Sequence, residues 1–368
     1  MQALILVGGE GTRLRPLTST VPKPVVPLVD RPFVVFMLDW LRRHGVDEVV
    51  LSCGSGRLAA GVRGVLGDGA GLGIRLRYVE EPEPLGTGGA LKYAEDLLDE
   101  RFLMLNGDVL TDIDLTAQVA QHERTGAVAT LALVPVEDPT AYGLVRANDD
   151  LSVHEFVEKP SADQIDTNLI SAGAYVLERS IVDLIQPDRA VSIEREIWPR
   201  LVGKGLFGFP ADAYWLDIGT PDRYLQGTFD IIEGNVQTDV LKRLGDGYLA
   251  VDDSASVQGR VIPPAVVERG CEVAAGAHVG SLVVLGSGVQ VGEGSCIERS
   301  VVLQGAEIGA GCTLTDCIVS AGVRIGDNTV ISGGAVLGEG VTIGSDNLLT
   351  RGVRVFPNTE IPDGAIQF

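Results

Sequence analysis

The residues best suited to chemistry cluster first in the stretch GGEGTRLRPLTSTVPKPVVPL at positions 8–28. It follows a strand-like run, QALILV, and combines glycines, prolines and positive charge. Glycine and proline clusters punctuate structure, but punctuation alone has no need of Arg13 and Lys23. Bare backbone N–H groups can wrap a phosphate. A guanidinium at Arg13 can grip non-bridging oxygens bidentately, and Pro22 and Pro24 stiffen the approach of Lys23. The loop has no GK[ST] ending, which excludes a P-loop. Gly8, Gly9 and Gly11 do not fit the spacing of a dinucleotide fingerprint.

The elements that must carry this loop read as two halves. Up to about Asp230, short apolar strands alternate with amphipathic helices, predicting a mostly parallel sheet covered on both faces. In such sheets ligands sit at the carboxyl ends of strands, where both the glycine loop and Asn106-Gly107-Asp108 fall. After about Val251 aliphatic residues recur every sixth position: Val261, Val267, Val273, Val279, Leu285, Val291, Ile297 and Leu303. After a slip the series resumes at Val319, Ile325, Ile331, Leu337, Ile343, Leu349, Val355 and Ile361. A six-residue period is the signature of a β-helix. The expected division is 1–233, a linker at 234–250 able to hold one helix, and 251–368.

Composition narrows the function. A formal net charge of −21 argues against a nucleic-acid partner and requires that an anionic substrate be drawn by a local basic site. No apolar run reaches the length of a membrane span, and the N-terminus lacks the pattern of a signal peptide. Five cysteines without a CxxC pair read as reduced, buried thiols. A cytoplasmic location is expected.

Several motifs then arrive in order: GGEGTRLRPLT with PKP, LGTGGAL at 85–91, LNGD at 105–108, AYG at 141–143, FVEKP at 156–160, SAGAYV at 171–176, SIEREIWP at 192–199 and YWLDIG at 214–219. Together they resemble the sugar-1-phosphate nucleotidylyltransferase family across the whole N-terminal half. The hexapeptide half, with EPEPLGTGGAL and SIEREIWP, is most similar to the mannose-1-phosphate guanylyltransferase branch. The resemblance implies an α/β fold: a Rossmann-like (GT-A-like) nucleotidyltransferase domain followed by a left-handed parallel β-helix.

It also implies a reaction, in which a sugar 1-phosphate attacks the α-phosphorus of a nucleoside triphosphate and pyrophosphate leaves. GTP and mannose 1-phosphate are the expected pair, with a UDP-, dTDP- or ADP-sugar enzyme, or a nucleotide-sugar-binding regulatory subunit, as alternatives. By resemblance, Arg13 and Lys23 neutralise the triphosphate, and Asp108 and Asp217 hold Mg²⁺. Leu6, Gly8, Gly9, Gly11, Thr12, Gly86 and Thr87 line the nucleotide, and Glu81 reads the base. Glu158, Ser171 and Glu196 contact the sugar, Lys159 its phosphate, and Gly143 lets backbone approach the ring. Ser171 departs from the family, which usually has asparagine there. A histidine-based acyltransferase is disfavoured, since the repeats contain only His278. The flat walls of the β-helix suggest assembly into a homo-oligomer.

Overall fold

The structure is a computed structural model in which residues 1–367 are described. The chain packs as two compact units, one formed by Met1–Glu10 and Val34–Trp215, the other by Gly11–Phe33 and the residues from Leu216 onward. This cuts across the expected boundary at 233. The loop bearing Arg13 and Lys23, and the segment bearing Asp217, fold with the β-helix.

In the first unit, β1 (Gln2–Leu6) lies parallel between β2 (Glu48–Cys53) and β4 (Arg101–Asn106), with β3 (Arg75–Glu80) parallel beyond β2. These strands are connected through α1 (Phe33–Arg43), α2 (Arg57–Leu66) and α3 (Gly86–Tyr93). The sheet is less uniformly parallel than its first half predicts. β5 (Ala129–Pro135), β6 (Gly143–Ala147), β7 (Val153–Glu158) and β8 (Leu169–Glu178) follow one another without α-helices between them. Short connections permit antiparallel pairing, and β8 runs antiparallel to β4 and β5, as β7 does to β6. With β9 (Leu206–Pro210) on β5 the sheet has nine strands. Its core includes Leu4, Val50, Phe102, Met104, Tyr175 and Trp198.

The second unit is built on a three-walled coil, a left-handed β-helix whose strands all stack in parallel into sheets of seven, seven and six. The hexad residues fill its interior, from Val267 to Val355. The slip in the series has a definite location. Leu285, Val302 and Val319 are in register 17 residues apart, whereas Val267 to Leu285 and Val319 to Leu337 are 18. The inward residue is therefore Val302, and the expected Leu303 is displaced by one place. Arg299 and Asp316 stand at the tightened corners with φ of 44° and 49°, and Arg299 Nε donates to Asp316 Oδ1 at 2.7 Å.

One wall differs from the other two. Its outward column, Val266, Val284, Val301, Ile318 and Val336, is at most 1 % exposed. On the other walls the outward Glu272, Gln290, Glu307, Arg324, His278 and Thr313 are exposed. Each buried aliphatic side chain contributes about 1.5–3 kcal/mol. A cavity of about 390 Å³ lies where Leu17, Val21 and Val25 of the loop face Gly286, Leu303 and Ser320 of the coil. Within the same unit α4 (Pro221–Glu233) starts at Thr220, whose Oγ1 accepts from the Arg223 N–H at 3.4 Å, and stops at Gly234 in the left-handed region. The linker holds one short helix, α5 (Val240–Leu244).

All five cysteines are free, and four are buried. Burial pushes the Cys53 and Cys317 thiols up to about 12, so neither is ionised near neutrality.

Candidate active site

The site residues of the first unit sit at strand ends. Gly107 follows β4, and its N–H donates to the carbonyl of Leu6 at 3.0 Å. This fixes the turn that presents Asp108, half-buried, beside the end of β1. A side chain at Gly107 would collide with that same Leu6 carbonyl.

Glu81 is 6 % exposed at the end of β3. Ser52 Oγ donates to its Oε1 at 2.9 Å and the Leu85 N–H to its Oε2 at 3.1 Å. Gly8 lies directly against this carboxylate. Each oxygen has given up one acceptor position and keeps another. Glu81 thus anchors the LGTGGAL turn and can still accept two donors side by side. Gly86, with φ of 70°, and Thr87 open α3 from that turn.

Thr87 links the turn to SIEREIWP. Its Oγ1 donates to Glu194 Oε2 at 2.7 Å and accepts from the Ile193 N–H at 2.9 Å, while Ser192 Oγ donates to the same Glu194 oxygen at 2.7 Å. Glu196 points elsewhere, bonded to Arg189 Nη2 at 2.6 Å and to the Ser192 N–H at 3.3 Å. Glu196, expected to contact the sugar, is thus engaged by Arg189, while Glu194 is the carboxylate bonded to Thr87 and Ser192. Burial, reinforced by the charge of Glu194, raises the pKa of the Glu158 carboxyl above its ordinary value.

Lys159 follows with φ of 53°, its N–H bonded to the Tyr142 carbonyl at 2.9 Å, and its side chain exposed. The space that Gly143 leaves is filled by the Phe156 ring rather than left open. Packing against Phe156 is thus one reason for the absence of a side chain at Gly143. The register of β8 against β5 jumps between Ser171 and Tyr175, so SAG forms a bulge. Ser171 Oγ donates to Tyr175 Oη at 3.3 Å. Bulges re-aim side chains beside sites.

The second unit carries Arg13 and Lys23. Thr12–Leu14 is a tight turn with Leu14 N–H on Gly11 O at 3.0 Å and Arg15 N–H on Thr12 O at 3.2 Å. Gly11 has φ of 63°, and a Cβ there would lie 2.9 Å from Cβ of Lys23, so only glycine lets the two strands of the loop close on each other. Thr18 Oγ1 donates to Gly11 O at 2.7 Å, and Tyr224 Oη to Pro27 O at 2.6 Å. Gly9 meets nothing on its side-chain side. Thr12 is exposed, and Lys23 is half-buried.

Arg13 is 65 % exposed, and its Nη2 lies 3.8 Å from Asp217 Oδ2. Gly219 is the neighbour sequence reasoning missed: a Cβ there would stand 2.7 Å from Arg13 Nη2. The glycine closing WLDIG clears room for a guanidinium.

Among the described residues no three His, Cys, Asp or Glu side chains gather into a metal cage. Asp108 in the first unit and Asp217 in the second each offer hard carboxylate oxygens, the donor type that suits a divalent ion taking most of its ligands from phosphates and water. None of the described helices is long and apolar enough to cross a membrane.

Comparison with known proteins agrees with this chemistry. Residues 2–234 match the Nucleotidyl transferase family model and residues 261–367 the GMPPB C-terminal domain. The chain is 40 % identical over 372 residues to the mannose-1-phosphate guanylyltransferase of Mycobacterium tuberculosis, covering 100 % of this chain and 98 % of that protein. It is 29 % identical over 338 residues to a UTP–glucose-1-phosphate uridylyltransferase of Synechocystis, covering 85 % and 86 %. Among solved structures, HddC from Yersinia pseudotuberculosis superposes with a TM-score of 0.55 at 28 % identity, over 62 % of this chain and 99 % of that one. With glycine loop, strand-end aspartate and hexapeptide coil all in place, the chain belongs to the nucleotidyl transferase family and carries a C-terminal domain of the GMPPB type.

Proposed function

We propose that the protein transfers a guanylyl group from GTP to mannose 1-phosphate, forming GDP-mannose and releasing pyrophosphate. The observation that carries this is the 40 % identity to a guanylyltransferase along the entire chain. An oxygen of the sugar phosphate attacks the α-phosphorus, and the bond from that phosphorus to the bridging oxygen of pyrophosphate breaks. The attacking phosphate is already ionised, so no protein base is needed. The barrier is charge repulsion and misalignment, which positioning and electrostatic stabilisation lower.

Arg13 and Lys23 supply counter-charge to the triphosphate, on a loop whose Gly8, Gly9, Gly11 and Thr12 leave room for it. Asp108 and Asp217 are the ligands we assign to Mg²⁺, which when bound neutralises phosphate charge. Glu81, with two acceptor positions left, suits the adjacent N1–H and N2–H₂ donors of guanine. Glu158 and Glu194 accept from sugar hydroxyls, Ser171 stands beside them, and Lys159 pairs with the sugar's phosphate. The uninterrupted loop favours an active enzyme over a regulatory subunit. Five free thiols accord with a reducing, cytoplasmic setting, and the two polar walls of the β-helix are the surfaces for homo-oligomer contacts.

The test is pyrophosphate release with Mg²⁺ across five nucleoside triphosphates, each with mannose, glucose or N-acetylglucosamine 1-phosphate. The expected result is a preference for GTP with mannose 1-phosphate. A preference for UTP with glucose 1-phosphate would move the chain to a sister branch, and release with no pair would remove the enzymatic reading.

A further inference from the structure

We infer that Arg354, a residue of the β-helix, is a positioning residue for Arg13. The inference rests on the reading above in taking Arg13 as the counter-charge for the triphosphate. The outward column of the covered wall runs in register through Ala250, Val266, Val284, Val301, Ile318 and Val336, and then reaches Arg354. A guanidinium at the end of an otherwise aliphatic column gains nothing from apolar packing and needs another partner. It has one: Arg354 Nη1 donates to the backbone carbonyls of Arg13 at 3.4 Å and Arg15 at 3.2 Å.

These two carbonyls lie on either side of Leu14, at the end of the tight turn. A charged donor shared between them fixes both peptide planes, and charge-assisted hydrogen bonds are the stronger kind. Arg13 needs such support. Its side chain is 65 % exposed and its pairing with Asp217 is long, at 3.8 Å. The placement of the guanidinium therefore depends on the backbone beneath it together with the room left at Gly219. The other end of the segment is tied to the coil as well, through Arg243, which bonds Asp30 Oδ2 at 2.5 Å and Glu268 Oε1 at 2.8 Å. The β-helix thereby acts as the template on which the cationic loop is laid.

The experiment compares the full-length protein with Arg354→Met, Arg354→Lys and a control, Arg324→Met, on an exposed wall. Turnover, KM for both substrates, the thermal midpoint and amide hydrogen exchange over residues 11–16 are measured on each. In Arg354→Met, kcat should fall on the order of 10- to 100-fold, the scale on which small misplacements act. The thermal midpoint should move by no more than about 1 °C, as for most exposed substitutions. Exchange at Leu14 and Arg15 should quicken. Lysine can still reach the carbonyls and should restore part of the rate; Arg324→Met should match the parent.

Unchanged kcat in Arg354→Met, or a rate loss matched by a comparable loss of thermal stability, overturns the inference. Should the parent release no pyrophosphate with any pair, the reaction assignment fails separately. Exchange then decides alone, and unaltered protection over 11–16 refutes the positioning role.

Discussion

The two units hold their functional groups in opposite ways. In the first, carboxylates are fixed: Glu81 by Ser52 and Leu85, Glu194 by Thr87 and Ser192. In the second, Arg13 and Lys23 ride on a loop, with Arg13 largely in solvent. Acceptors that discriminate among neutral hydroxyls and base edges must be rigid, because selectivity depends on donors meeting acceptors in a set geometry. Cations that answer phosphate charge can tolerate freedom, provided their backbone is held.

Breaking the cationic side should have the largest effect. Lys23→Ala and Arg13→Ala should each lower kcat on the order of 10²- to 10³-fold, the scale of losing one electrostatic donor. Thermal melts alongside pyrophosphate assays should show an unchanged fold. A near-normal rate in Lys23→Ala would remove the division of labour between the units.

A smaller effect separates two glutamates of the rigid side. Glu194→Gln should raise KM for the sugar phosphate on the order of 10-fold, since a carboxylate accepting two hydroxyls loses one acceptor. Glu196→Gln, which breaks only an exposed pair with Arg189, should leave it unchanged. The reverse ranking in steady-state kinetics would identify Glu196 as the sugar contact.

The smallest effect concerns Glu158. Burial and Glu194 raise its pKa in the folded state, so the native protein binds this proton more tightly than the unfolded chain does. That contribution is present below the unfolded pKa and is lost as pH rises through the folded one. Glu158→Gln should therefore raise the thermal midpoint at pH 8 and have no such effect near pH 4, while weakening sugar phosphate binding. A lower midpoint at pH 8 would show that the carboxylate is stabilised rather than strained.

Much of this was legible beforehand. The hexad series found the coil because each inward residue fills the same interior, whatever surrounds it. The covered wall left a second signal that six-residue counting overlooks: AVV, VVL and SVV place an outward aliphatic beside the inward one. Such doubling marks a wall that something must cover. The slip itself showed in the spacing from Leu303 to Val319, but its placement did not, since Val302 and Leu303 are adjacent aliphatics and counting does not say which one faces inward.

The choice between Glu194 and Glu196 was equally hidden. Residues 193–197 form a widened π-helical turn in which Ile193 and Ile197 are buried, so ordinary helical spacing does not say which glutamate faces inward. Loop segregation with the coil was also invisible, because sequence order places residues 11–33 inside the first domain.

The stacking of the coil has a further consequence. Neighbouring strands stand about 4.8 Å apart, and Arg354 lies six strands along the wall from Ala250. Adding or deleting one turn before residue 354 would carry its guanidinium past the carbonyls it bonds by more than a hydrogen bond can span. Solenoids ordinarily vary freely in length. This one works as a measuring rod, with its count of turns set by the distance to a loop encoded more than three hundred residues earlier.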